Sequence, residues 1–364
     1  MIITCQTNIS IMKNIKFLFL LILPILGCKK DDDTQNDQDF YFPSNTNSSW
    51  ETKSLVDLGW NESAVNPLKE YLIQKNTKSF MILVNGRIVM EEYFDGHTKD
   101  AIWQWNSAGK TLVSATTGIA QQEGWLNINT PVSQYLGNGW TSEPLDKEKL
   151  ITPRHLLTMT SGINDENNLV IKSNLTYLVD AGTRWSYHNV FQKLMDVVAS
   201  AGKQDFEAYF NAKLQNKIGM EGYWNNGLIF DIYHSNTRSM ARFGLLAQNK
   251  GKWQNEQIIP EDFFKASTQS SQSINPSYGY LWWLNGKSSF MVPGGQTMFS
   301  GPLIPSAPSD IYAAMGAEDQ RIYVIPSKNM VVIRMGNASE PLNPSFALSG
   351  FDNELWQKIN AVIN

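Results

Sequence analysis

A serine followed three positions later by a lysine puts a nucleophile and a base on one face of a helix. The sequence carries this spacing at Ser10/Lys13, Ser107/Lys110 and Ser200/Lys203. A serine hydroxyl is a weak nucleophile until a neighbouring base takes its proton, and a lysine buried enough to be neutral is such a base. A helix N-terminus adds free backbone N–H groups where an oxyanion develops. Context separates the three copies. Ser10 precedes any fold signal, and Ser200 ends a helix-like run that Gly202 stops. Ser107 opens a run of small and apolar residues, Thr111 to Gln121, that reads as a helix. Ser107 is the expected nucleophile and Lys110 its base.

Such a pair needs a proton relay to the leaving group and an amide to orient the substrate. Tyr-x-Asn also occurs three times, at Tyr187/Asn189, Tyr209/Asn211 and Tyr223/Asn225. Tyr209 sits in an apolar helical stretch with Phe206, Phe210 and Leu214 and reads as core. Tyr223 lies in a Trp/Asn/Gly-rich loop with no helix after it. Tyr187 follows a tight turn, Ala181 to Ser186, and precedes a helical run from Val190 to Ser200. It is the expected relay, with Asn189 contacting substrate.

The elements that must hold these residues are legible at both ends of the chain. Ala64 to Lys75 is amphipathic, and Phe80–Val84, Asn85-Gly86 and Arg87–Tyr93 predict a β-hairpin with a type I′ turn. Arg321–Ile325 and Met330–Arg334 predict a second antiparallel pair, and Phe351–Ile363 a closing helix. Strands from both termini with helices between them predict an α/β (α+β) fold, an antiparallel sheet beside a helical subdomain.

The composition is globular, with 42% hydrophobic residues, enough for a sizeable core. A net charge of −4 without a clustered basic stretch in the folded part argues against nucleic-acid binding. The two cysteines, Cys5 and Cys28, both precede the folded part, and the four histidines are scattered, so neither a disulfide framework nor a metal site is expected. No cofactor is expected either. Residues 12–28 carry Lys13 and Lys16, then an apolar run from Phe17 to Leu26 that is too short to span a bilayer. Ile25-Leu26-Gly27-Cys28, at the end of a signal segment over 1–28, resembles a lipobox, which implies Met12 as the start, lipidation of Cys28 and cleavage that leaves Cys28 as the new N-terminus. The expected location is the outer membrane of a Gram-negative cell, on its periplasmic or outer side. Residues 29–49 read as a flexible tether and 50–364 as the folded domain.

Trp105-Asn-Ser-Ala-Gly-Lys110, Ile151-Thr-Pro-Arg-His-Leu-Leu-Thr-Met-Thr-Ser-Gly162 and Gly182-Thr-Arg-Trp-Ser-Tyr-His-Asn189 follow one another in order. Together they resemble the serine β-lactamase-like superfamily: class C β-lactamases, D-alanyl-D-alanine carboxypeptidases, related esterases and 6-aminohexanoate-dimer hydrolases. The resemblance implies a β-lactamase/transpeptidase-like fold, an acyl-enzyme on Ser107, Lys110 as general base, Tyr187 as relay and Asn189 on the acyl side of the substrate. It implies a small ester, amide or peptide-like substrate.

The superfamily's third element, Lys-Thr/Ser-Gly or His-x-Gly, is absent. By position its counterpart is Gly316-Ala-Glu-Asp-Gln320, which makes the Gln320 N–H the expected second oxyanion donor. Glu318 and Asp319 are expected either to make that rim acidic or to be solvated loop carboxylates. Without the lysine or histidine that holds a substrate carboxylate, poor β-lactam turnover is expected. The alternative reading is a non-catalytic ligand-binding or sensor protein on the same fold.

Overall fold

The computed structural model describes residues 40–46, 49–225, 227, 231–340 and 350–364. Cys28 and the leader lie outside the described residues. The folded unit runs from Phe40 to Asn364, so it begins ten positions earlier than the expected boundary at 50. Phe40, Tyr41 and Phe42 pack against the core. Tyr41 N donates to Asn85 O over 3.0 Å, Phe42 meets Trp253 edge-on at 5.0 Å, and Arg242 donates to Ser44 O over 2.7 Å. Three successive aromatic residues have area to bury, which a polar tether lacks.

The sheet contains β1 (Thr77–Val84), β2 (Arg87–Tyr93), β3 (Trp283–Leu284), β4 (Tyr312–Gly316), β5 (Gln320–Ile325) and β6 (Met330–Gly336), in the order β2-β1-β6-β5-β4-β3. All its pairings are antiparallel. The N-terminal hairpin turns at Asn85 (φ 49°) and Gly86 (φ 79°), both left-handed as a type I′ turn requires. It docks on the C-terminal hairpin through β1 and β6, with Phe80 opposite Arg334 and Val84 opposite Met330.

Both faces of the sheet are covered, so β5 and β6 are buried along their whole length instead of alternating. Helix α1 (Val65–Gln74) lies beside α5 (Gly350–Ile363), whose Trp356 meets Tyr323 of β5 at 5.5 Å. On the opposite face runs α4 (Thr237–Gln248), packed close enough that a Cβ on Gly244 would stand 2.6 Å from Val331. Beyond α4 lies the helical part. Its central helix, α2 (Lys110–Gln122), is buried from Lys110 to Ala120 and packs against α3 (Lys193–Gly202). The nucleophile turn therefore sits where the helical part meets β4. Among the described residues, no helix is long and apolar enough to cross a membrane.

Candidate active site

The turn that delivers Ser107 is held from three sides. Trp105 is buried, and its indole N–H donates to Ser235 Oγ over 2.7 Å. Asn106 adopts φ 49°, an uncommon conformation for a side-chain-bearing residue. Its Nδ2 donates to Ala317 O over 2.9 Å. Residues Asn106–Gly109 then form one 3-10 turn that runs into α2 at Lys110. Ser107 stays half-exposed while its neighbours are buried.

Lys110 Nζ lies 2.7 Å from Ser107 Oγ. The lysine is only 2% exposed, with its Nζ 4.7 Å from the Tyr187 ring centroid and 4.5 Å from that of Phe191. Burial among these rings disfavours the ammonium and pulls its pKa down to about 7. Near neutral pH a sizeable fraction of Lys110 is thus the free amine.

Tyr187 arrives from the turn before the short helix Asn189–Gln192. Its ring stacks on Trp283 of β3 at 5.6 Å and 29° and meets Tyr278 edge-on at 6.2 Å. Burial pushes the phenol up to about 12, against the opposing pull of hydrogen bonding with Ser107 and Trp283 and of the Arg321 charge. The structure thus brings Ser107, Lys110 and Tyr187 together. Asn189 is buried two positions beyond Tyr187, and its Nδ2 donates to Asn168 O over 3.3 Å. The neighbouring His188 accepts from Val190 N over 3.1 Å and lies 2.9 Å from Asn167 O through Nε2, fixing the entry to that turn.

Gln320, whose backbone N–H is the expected second donor, follows the turn after β4. It is the first residue of β5, and its side chain bridges to Gly336 through Nε2 to the carbonyl (2.6 Å) and Oε1 to the N–H (3.1 Å). The strand residue against the nucleophile is Gly316, where a Cβ would stand 3.0 Å from Ser107 N and 2.4 Å from Trp105 O. No side chain fits there. Gly316 O accepts from Arg321 over 2.7 Å. Every described peptide is trans, so the Ala317 N–H on the same peptide points away from Arg321. The left-handed φ of Glu318 (59°) and Asp319 (58°) closes the turn tightly and sets this register.

The expectation for Asp319 is also corrected. It is buried, ion-paired to Arg321 at 2.9 Å and bound by Ser339 N at 2.9 Å. Burial alone would raise its carboxyl, but Arg321, Ser339 and Arg334 outweigh that and hold it at about 2. Glu318 is half-buried and accepts from Gln104 Nε2 over 2.8 Å.

The other motif copies serve the scaffold. Ser200 Oγ donates to Tyr135 O over 2.6 Å, and Lys203 is the left-handed cap of α3. Tyr209 OH donates to Glu123 over 3.0 Å, whereas Tyr223 is exposed and stacked on His234. Among the described residues, no group of three or more His, Cys, Asp or Glu side chains is placed to hold a metal ion. Sequence reasoning missed Asn106, Ala317 and Arg321. Only Asn106 had a local signal, as a polar residue next to the expected nucleophile.

The beta-lactamase family model matches residues 72–351, and the chain belongs to the beta-lactamase family, a family of serine hydrolases. No curated protein matches it in sequence. Among solved structures it is similar to a protein assigned as a 6-aminohexanoate-dimer hydrolase from Bacillus anthracis (TM-score 0.64, 16% identity, 88% of each chain covered). It is also similar to EstCE1, a hydrolase with promiscuous acyltransferase activity (TM-score 0.61, 12% identity, 85% of this chain and 99% of that one). A third is a penicillin-binding protein from Bacillus halodurans (TM-score 0.56, 14% identity, 81% and 99%). At these identities the likeness concerns the fold.

Proposed function

We propose that this protein is a serine hydrolase that cleaves an ester or amide through an acyl-enzyme on Ser107. The observation that carries this reading is the 2.7 Å contact between Lys110 Nζ and Ser107 Oγ, made by a lysine that burial brings to about 7. The free amine takes the Ser107 proton as Oγ attacks the carbonyl carbon. The developing oxyanion is received by the N–H groups of Ser107 and Ala317. As the C–X bond breaks, Tyr187 gives its proton to the leaving group and is reprotonated by the Lys110 ammonium. Water then attacks the acyl carbon, passes a proton back along the same path, and releases the acid with Ser107 restored.

The strand residues beside the nucleophile, Ala314, Met315 and Gly316, carry no cation to receive a substrate carboxylate. This favours neutral or cationic esters and amides over β-lactams. The lipobox-like run ending at Cys28 supports a lipid-anchored protein at a Gram-negative outer membrane.

The test is mass spectrometry of residues 34–364 after exposure to a fluorophosphonate and, separately, a penicillin. A fluorophosphonate adduct on Ser107 that is lost in Lys110→Ala is expected, with little or no stable penicillin adduct. Folded protein that takes up neither reagent would replace the hydrolase reading with a non-catalytic binding module.

A further inference from the structure

Asp319, Arg321, Tyr323, Arg334 and Asp352 form a buried polar network under the turn that faces Ser107. Arg321 has no solvent exposure. Its Nε and Nη2 donate to the two Asp352 oxygens at 2.6 and 3.0 Å, its Nη2 also reaches Asp319, and its Nη1 donates to Gly316 O at 2.7 Å. Arg334 secures the same turn from beside it, donating to Glu318 O at 2.6 Å and Lys75 O at 2.7 Å. Asp352 stands in the first turn of α5, so the turn is pinned to the helix on the far side of the sheet.

A buried guanidinium is costly to desolvate, and hydrophobic packing serves stability at least as well. The network has a specific target, however. One of its donors is spent on the carbonyl of the Gly316–Ala317 peptide, whose N–H points away from the guanidinium, and Gly316 itself packs against Ser107. A charged donor on a carbonyl fixes the peptide plane and polarises the amide, which strengthens the N–H at its other end. The strand itself carries no lysine or histidine near the nucleophile.

We propose that Arg321, acting through the Gly316–Ala317 peptide, is the positioning residue of the oxyanion site, its charged donor fixing that peptide from beneath the strand. Asp352 and Asp319 hold the guanidinium in that role. This rests on the hydrolase reading. The Arg321 charge also reaches Tyr187, where it opposes the upward push of burial.

The test compares wild type, Arg321→Lys and Asp352→Asn with p-nitrophenyl butyrate as substrate and a phenylboronic acid as the tetrahedral mimic. Arg321→Lys keeps the charge and loses the forked contact. Its kcat is expected to fall roughly 10- to 100-fold with KM within about twofold, in the range seen when an oxyanion donor is weakened. The boronate affinity should fall in parallel, while the pH midpoint set by Lys110 stays put. Asp352→Asn keeps the shape and loosens the guanidinium, so it should show a smaller loss of the same kind; it decides the matter if Arg321→Lys does not fold. Folded variants with unchanged kcat and boronate affinity, or with losses in KM alone, would overturn the proposal. A wild type inert to the ester and to fluorophosphonate would instead bring down the hydrolase reading on which it stands.

Discussion

Asn106, held at φ 49°, donates from Nδ2 to Ala317 O over 2.9 Å, so the residue before the nucleophile is tied to the turn that follows β4. An unfavourable backbone angle persists only where its surroundings enforce it. In Asn106→Gly the left-handed angle costs nothing, but the tie is gone. Stability should therefore stay within about 1 kcal/mol of wild type, while kcat/KM falls roughly tenfold or more, as expected when the geometry of a reacting site loosens. Thermal unfolding and steady-state kinetics on one ester separate the two effects. A variant with full activity would make the Asn106 strain incidental.

Lys110 sets the acid side of the pH profile. With its pKa near 7, the free amine grows as pH rises, so kcat/KM should climb through about pH 7 and then level. Tyr187, pushed up to about 12, remains a phenol across the working range and should add no fall below that pH. The same shift has a stability cost. The unfolded lysine keeps its proton up to about 10.4, whereas the folded one releases it near 7. Between those values the unfolded state binds more protons, so stability should rise with pH through that window. Lys110→Met removes this dependence and should raise the unfolding temperature at pH 7 while abolishing turnover. A flat pH–rate profile between 5 and 9 would contradict Lys110 as base.

Much of this site was legible because its decisive contact is local. Ser107 and Lys110 meet through the pitch of a helix, and the Asn85-Gly86 turn through backbone preference. The Ala317 N–H proposed as second donor was not legible, because its position depends on left-handed φ at two acidic residues, Glu318 and Asp319. That is not a property of local pattern. Asp319 reads as a loop carboxylate because it follows Glu318 in a short acidic pair just before the strand from Arg321. Its burial is set by Arg321, which is held in turn by Asp352 far along the chain. Phe40 to Phe42 pack on the core although their sequence surroundings are polar, because three adjacent aromatic side chains have area to bury.

Ala317→Pro tests the donor on β4 by removing its hydrogen. Proline tolerates an extended residue before it, and Gly316 has φ −124° and ψ 160°. Ala317 is not among the left-handed residues of the turn, the conformation proline cannot adopt. The protein should fold, bind substrate with similar KM and lose about 10²- to 10³-fold in kcat. Normal kcat in the folded variant would place the donor elsewhere.

The second Ser-Ala-Gly-Lys copy supplies an internal control. Lys203 caps α3 in a left-handed conformation, where an asparagine is better suited than most side chains. Lys203→Asn should leave kcat/KM and fluorophosphonate labelling unchanged, whereas Lys110→Asn should lose both. Equal losses would show that the tetrapeptide and its setting had been wrongly separated.

Tyr187→Phe keeps the ring that stacks on Trp283 and Tyr278 and deletes only the hydroxyl, so stability should change little. Its effect on rate should depend on the leaving group. A p-nitrophenolate departs without a proton, whereas an alkoxide or an amine anion does not. If Tyr187 delivers that proton, acylation by alkyl esters and amides should fall roughly 10²- to 10⁴-fold, and p-nitrophenyl esters far less. Pre-steady-state bursts with p-nitrophenyl butyrate report acylation separately from water attack. An equal loss for every leaving group in the burst phase would place the hydroxyl in positioning Lys110 and Ser107 instead, since Lys110 Nζ lies only 4.7 Å from the same ring. An unchanged rate for amides would remove Tyr187 from the proton path.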